Sequence, residues 1–136
     1  MFKKIFGLLF IAGLALAACK KEETPAPTPT PTPQPTKTEM LAKIWKPDSV
    51  FQNGLNLTGL FATTRFTFRT DNKYIMTTPV GPDTGVWAFA NNESQIILDP
   101  GPDQEVWNIQ TLTNVLLRVR ATNDDGEFRA QFSPAQ

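Results

Sequence analysis

Arg65-Phe66-Thr67-Phe68-Arg69-Thr70-Asp71-Asn72-Lys73-Tyr74 is the stretch that decides the fold. Phe66 and Phe68 alternate with Arg65, Thr67 and Arg69, the period of two that gives a strand one dry face and one wet face. Asp71-Asn72 supplies a turn, because Asn tolerates positive φ, and a second strand begins at Lys73. The segment reads as an antiparallel hairpin. Working outward, the same pattern recurs. Trp107 and Ile109 alternate with Asn108 and Gln110, Leu117 and Val119 with Arg118 and Arg120, and Phe128, Ala130 and Phe132 with Glu127, Arg129 and Gln131. Trp87 and Phe89 alternate with Val86 and Ala88, so that strand is expected to be covered on both sides, its second side by an N-terminal helical turn.

Candidate strands fall at 44–52, 57–62, 64–70, 73–78, 85–90, 95–99, 105–112, 115–122 and 127–133. Between them lie turn signals, among them Asn53-Gly54, Gly81-Pro82-Asp83, Asp99-Pro100-Gly101-Pro102 and Asn123-Asp124-Asp125-Gly126, each rich in residues that accept turn geometry. A helical turn is expected over 38–43 with Thr38 as its cap. Short strands at regular spacing predict an all-β fold, a small antiparallel meander β-barrel of about eight to nine strands. Pro47 cannot donate to a ladder, which predicts that the first strand pairs incompletely and leaves the barrel partly open.

The N-terminal part has a different character. Lys3 and Lys4 precede an uncharged apolar run over 5–18, whose fourteen residues fall short of the roughly 20 that a membrane-spanning helix needs. This is the layout of a secretory signal. The run closes on Leu16-Ala17-Ala18-Cys19, with the only cysteine of the chain, and this tetrapeptide resembles the lipobox of bacterial lipoproteins. The resemblance implies a diacylglyceryl group on the Cys19 thiol, cleavage after residue 18, and acylation of the new amino terminus, with palmitate among the chains. It makes 1–18 a signal peptide, Cys19 the lipidation site, and the membrane the first partner. Lys20-Lys21-Glu22-Glu23 resembles the export tag of surface-exposed lipoproteins and reads equally as a charged spacer that keeps the linker out of the membrane, so a lipid anchor in the outer membrane is expected with the side faced by the domain left open. Pro25, Pro27, Pro29, Pro31, Pro33 and Pro35 stand at every second position, which favours polyproline II. The linker, 19–38, is then a semi-rigid spacer reaching roughly 60 Å at about 3.1 Å per residue.

The remaining 98 residues, 39–136, make one small domain. They carry 8 basic and 11 acidic side chains, a formal charge of −3, so no basic field exists to attract nucleic acid. The chain has no His, which removes the commonest general base and metal ligand together. With its one Cys assigned to lipid, it has neither a disulfide framework nor an activated nucleophile. Asp99 with Asp103, and Asp124 with Asp125, are the carboxylate pairs open to a hydrolase-type or calcium-dependent alternative, but their turn positions account for them first. The expectation is a non-enzymatic domain with no cofactor and no bound metal.

Leu41 and Trp45-Lys46 after a short helical turn, Asn53-Gly54, the hairpin from Phe66 to Tyr74, and Gly85-Val86-Trp87-Ala88-Phe89 come in order. Ile96-Ile97-Leu98-Asp99, Trp107-Asn108-Ile109-Gln110-Thr111-Leu112 and Val115-Leu116-Leu117-Arg118-Val119 complete the series. This order resembles the small lipocalin-like domains of bacterial envelope lipoproteins. The resemblance implies an up-and-down barrel and an Arg from a late strand, Arg118 or Arg120, covering Trp45. Lipocalins proper have Gly two residues before that Trp, where this chain has Lys43. An eight-stranded barrel is wide enough to be filled by side chains or to hold one small ligand. Phe66, Phe68, Trp87, Trp107 and Phe128 are the candidate lining. Two functions are expected of such a monomer: binding a small hydrophobic ligand, or holding a protein or other envelope partner through loops 78–84 and 99–104.

Overall fold

The computed structural model describes residues 24–136; Cys19 and its neighbours lie outside the described residues. Residues 24–36 are exposed and form neither helix nor strand. The compact unit is Pro33–Gln136. It begins with α1, Lys37–Leu41, capped by Thr36 rather than Thr38. Thr36 accepts from the Glu39 N–H and its own N–H donates to the Glu39 carboxylate, a reciprocal capping box that satisfies two otherwise orphaned donors. The strands follow as β1 Ile44–Gln52, β2 Leu55–Asn56, β3 Arg65–Phe68, β4 Lys73–Thr78, β5 Gly81–Ala90, β6 Gln95–Leu98, β7 Glu105–Leu112, β8 Leu117–Asn123 and β9 Gly126–Pro134.

Each strand from β3 to β9 pairs antiparallel with the next, β1 pairs with β3, and β9 returns to β1. The result is a closed eight-stranded barrel, with β2 as a two-residue addition to the end of β1. Phe66 sits opposite Met76 and Phe68 opposite Tyr74, and Asn72 takes φ 63° in the turn between them. Asn53 and Gly54 both have positive φ, the two-residue turn whose twist matches that of the strands it joins.

Pro47 does not open the barrel. It stands opposite Phe132 in a β1–β9 ladder that runs from Trp45 to Gln52. The Lys43 carbonyl faces β3, accepting from Phe68 N–H, and alternation gives Pro47 the same side; β3 pairs with β1 only at Ile44 and Trp45. The missing donor therefore points where no ladder bond is required. The register then shifts between Pro47 and Ser49. This bulge at Asp48 lets odd-numbered Trp45 and even-numbered Val50 both be buried, which strict alternation forbids. A second shift between Ile109 and Thr111 does the same for Trp107 and Leu112, which both join the core.

Two segments depart from the expected strands. Residues 57–62 form a 3-10 turn, Thr58–Phe61, because side chains compete with the ladder: Asn56 Oδ1 accepts from Thr58 N–H at 2.9 Å and Thr58 Oγ1 accepts from Val50 N–H at 3.0 Å. Gly81-Pro82-Asp83 is strand rather than turn, the reversal lying at Pro79-Val80. Pro82 is tolerated because β6 pairs only with Trp87–Ala90 of β5, leaving the earlier part as an edge. The expected helical cover over Val86 is also corrected. The helix α1 packs against β7, and Val86 remains 49% exposed.

The interior is filled largely by aromatic rings. Trp107 stacks on Phe128 and Phe132 with centroids 6.0 and 5.8 Å away, and meets Phe66 edge-on at 5.5 Å. Phe68 meets Trp87 edge-on at 5.9 Å. Such pairs contribute about 0.5–1.5 kcal/mol beyond the area they bury. Below them Leu41 and Trp45 are fully buried, and Trp45 Nε1 donates to the Leu41 carbonyl at 2.9 Å. Lys43, not an arginine, lies over Trp45, 5.5 Å from its centroid. Arg118 and Arg120 occupy the outward positions between buried Leu117, Val119 and Ala121, so neither reaches the first Trp.

Candidate functional site: a pocket at the mouth of the barrel

Trp45 opens β1 at one end of the barrel, so the antiparallel pairing puts the start of β3, the end of β4, the start of β5 and the start of β7 at the other. That end holds a pocket of about 220 Å³. Its apolar wall is Phe61, Phe66, Met76, Leu98, Trp107 and Phe128. Its polar groups are Tyr74, Asp83 and Glu105. Strand parity explains who faces inward: Asp83 shares a face with Gly85 and buried Trp87, Glu105 with buried Trp107, and Tyr74 with Met76.

Several hydrogen bonds fix this geometry. The Trp107 indole donates from Nε1 to Glu105 Oε1 at 2.7 Å. The Tyr74 hydroxyl donates to Asp99 Oδ2 at 2.6 Å, while Asp99 Oδ1 accepts from Val86 N–H at 3.0 Å. Asp99 reaches β5 only because residue 85 is glycine: a Cβ there would collide with the Asp99 carboxylate and the Tyr74 ring. The hydrogen bonds from Tyr74 and Val86 hold the Asp99 carboxyl below its ordinary pKa. Burial and the hydrogen bond to Asp99, reinforced by the charges of Asp99, Asp83 and Glu105, push the Tyr74 phenol well above its own.

Of the five residues expected to line a ligand site, Phe66, Trp107 and Phe128 border this pocket. Phe68 and Trp87 belong to the same aromatic network but lie outside the lining, packed on one another deeper in the barrel. Tyr74, Met76, Leu98, Asp83, Glu105 and Phe61 complete the lining. Alternation marks the first three and Glu105 as inward; Asp83 lies in a strand where turn residues predict a turn, and Phe61 in a 3-10 turn where the pattern predicts a strand. Asp99 pairs with Tyr74, not with Asp103. The Asp124–Asp125 turn is tied to the rim by Asn53 Nδ2 and Gln52 Nε2, both donating to the Asp125 carbonyl. Among the described residues no group of three or more acidic, Cys or His side chains is placed to hold a metal.

The outer wall carries a wider groove of about 400 Å³ between β1, β7, β8 and β9, containing Arg118, Arg120, Arg129 and Phe51. Glu127 pairs with both Arg120 and Arg129 at 2.9 Å, and Arg118 donates to Gln131 at 2.8 Å. No family model and no curated protein matches this chain.

Proposed function

We propose that this chain is a lipid-anchored envelope protein whose lipocalin-like barrel binds, without catalysis, a small and largely apolar ligand at its mouth. The observation that carries the reading is the aromatic-walled pocket at one barrel end, where Phe66, Trp107 and Phe128 meet a few fixed polar groups. Concave, mostly apolar sites with sparse polar groups are where small ligands bind. At about 220 Å³ the pocket is smaller than the roughly 300 Å³ of an ordinary ligand cavity. It has space for about seven waters at about 30 Å³ each, so a ligand is compact or projects from the mouth. The lipobox ending at Cys19 and the proline-rich linker support attachment to the outer membrane with the barrel held away from the bilayer.

A second reading, a protein or other envelope partner, is favoured by the outer groove, which gathers Arg118, Arg120 and Arg129, two of them paired with Glu127 and the third with Gln131. The test is native mass spectrometry of the chain purified from envelopes, with titration by small apolar fluorophores. Bound mass or saturable quenching that Trp107→Leu abolishes is the expected result. An empty domain that no probe enters defeats the ligand reading and leaves the partner reading.

A further inference from the structure

We infer that the mouth pocket selects a small organic cation, an ammonium group seated among aromatic rings with Asp83 and Glu105 at the rim. This rests on the ligand-binding reading above and gives it a chemical class. The aromatic contribution is large for so small a space: Phe61, Phe66, Tyr74, Trp107 and Phe128 are five of the nine lining residues. Aromatic faces attract cations electrostatically, and rings grouped around a cavity are a recurrent way of holding quaternary ammonium groups.

The charge of the lining has one sign. Asp83 and Glu105 are its acidic residues, and no Lys or Arg is among the nine. Among the described residues neither carboxylate takes part in an ion pair; the three pairs are Arg69–Asp71, Arg120–Glu127 and Arg129–Glu127. Arg65, which opens β3 next to Phe66, turns its guanidinium to the carbonyls of Ala62 and Thr64 at 3.2 and 2.7 Å. Both carboxylates are exposed to solvent at the rim of the pocket, and Glu105 also accepts from the Trp107 indole. Their charges add to the burial and the Asp99 hydrogen bond that raise the Tyr74 phenol. A carboxylate ligand such as a fatty acid would meet two like charges there, whereas a cation meets opposite charge and aromatic side chains together.

The pocket volume fits the compact cation choline, which serves as the probe. Calorimetric titration of the mature lipidated chain in nonionic detergent compares choline, its neutral isostere 3,3-dimethyl-1-butanol, and hexanoate. Choline is expected to bind at least tenfold more tightly than the alcohol, with hexanoate weakest. Glu105→Gln keeps an acceptor for the Trp107 indole, and Asp83→Asn removes only charge; each is expected to weaken choline severalfold while leaving the alcohol unchanged, with near-ultraviolet circular dichroism reporting the intact aromatic core. Binding of the alcohol or hexanoate as tight as choline, or choline affinity indifferent to both amide variants, overturns the cation inference and leaves the ligand-binding reading intact. Failure of all three probes to bind overturns both.

Discussion

Asp99 joins three strands through one carboxylate. It stands just after β6, accepts from the Tyr74 hydroxyl on β4, and accepts from the Val86 N–H on β5. Asn at this position keeps an acceptor for Val86 but gives the Tyr74 hydroxyl a poorer partner. Asp99→Asn is therefore expected to cost about 1 kcal/mol in denaturant unfolding, a single partly screened hydrogen bond. The pH dependence has a definite sign. The folded carboxyl titrates below its ordinary 3.8, so its stabilisation is fully present above that value and is lost as the pH falls through the lower folded one. The difference between the native chain and the variant is expected to shrink as the pH falls below 3.8; a gap that stays constant would show that charge has no part in it. At this scale the sequence was partly legible. Asp99 stands in a run of turn residues and was read as one. Its partner is 25 positions away, and only the pairing of β4 with β5 and β5 with β6 brings the two together.

Among the elements, β1 shows how the barrel corrects its own alternation. One extra residue, Asp48, changes the inward set from odd to even, so that Trp45 and Val50 are both buried. Deleting Asp48 would turn one of these two side chains to solvent. The expected cost is at least about 3 kcal/mol, the low end for losing a buried aromatic, and a fall in Tm of at least about 12 °C. Asp48→Ala, which preserves the bulge and gives up the 2.8 Å bond from Ser133, is expected to lose about 1 kcal/mol or less. Equal melting temperatures for the two variants would show that the bulge does not set the register. Alternation located β3, β5, β7, β8 and β9 because the pleat is local. It failed at 57–62, where side-chain hydrogen bonds to near neighbours replace the ladder, and at Gly81-Pro82-Asp83, where an unpaired strand edge decides what the backbone does.

For the whole molecule, attachment and recognition are separate devices. In the proposed reading Cys19 holds the chain to the membrane while the barrel mouth does the binding. Cys19→Ala is expected to abolish incorporation of labelled palmitate and to leave the longer, uncleaved precursor; a labelled or normally processed variant would sink the lipobox reading. Protease applied to intact cells should remove the barrel if it faces outward, and its protection would place it inside. The amino-acid sequence by itself determined the all-β meander, the inward faces of most strands and the turns at Asn53 and Asn72, because the period of two and the tolerance of positive φ are properties of a few consecutive residues. Only the tertiary structure decided that the barrel closes through Pro47, that Lys43 rather than an arginine covers Trp45, and that Asp83 and Glu105 share one aromatic pocket. Those outcomes depend on stagger and closure. They arise from hydrogen bonds between strands far apart in the chain, about which no local pattern carries information.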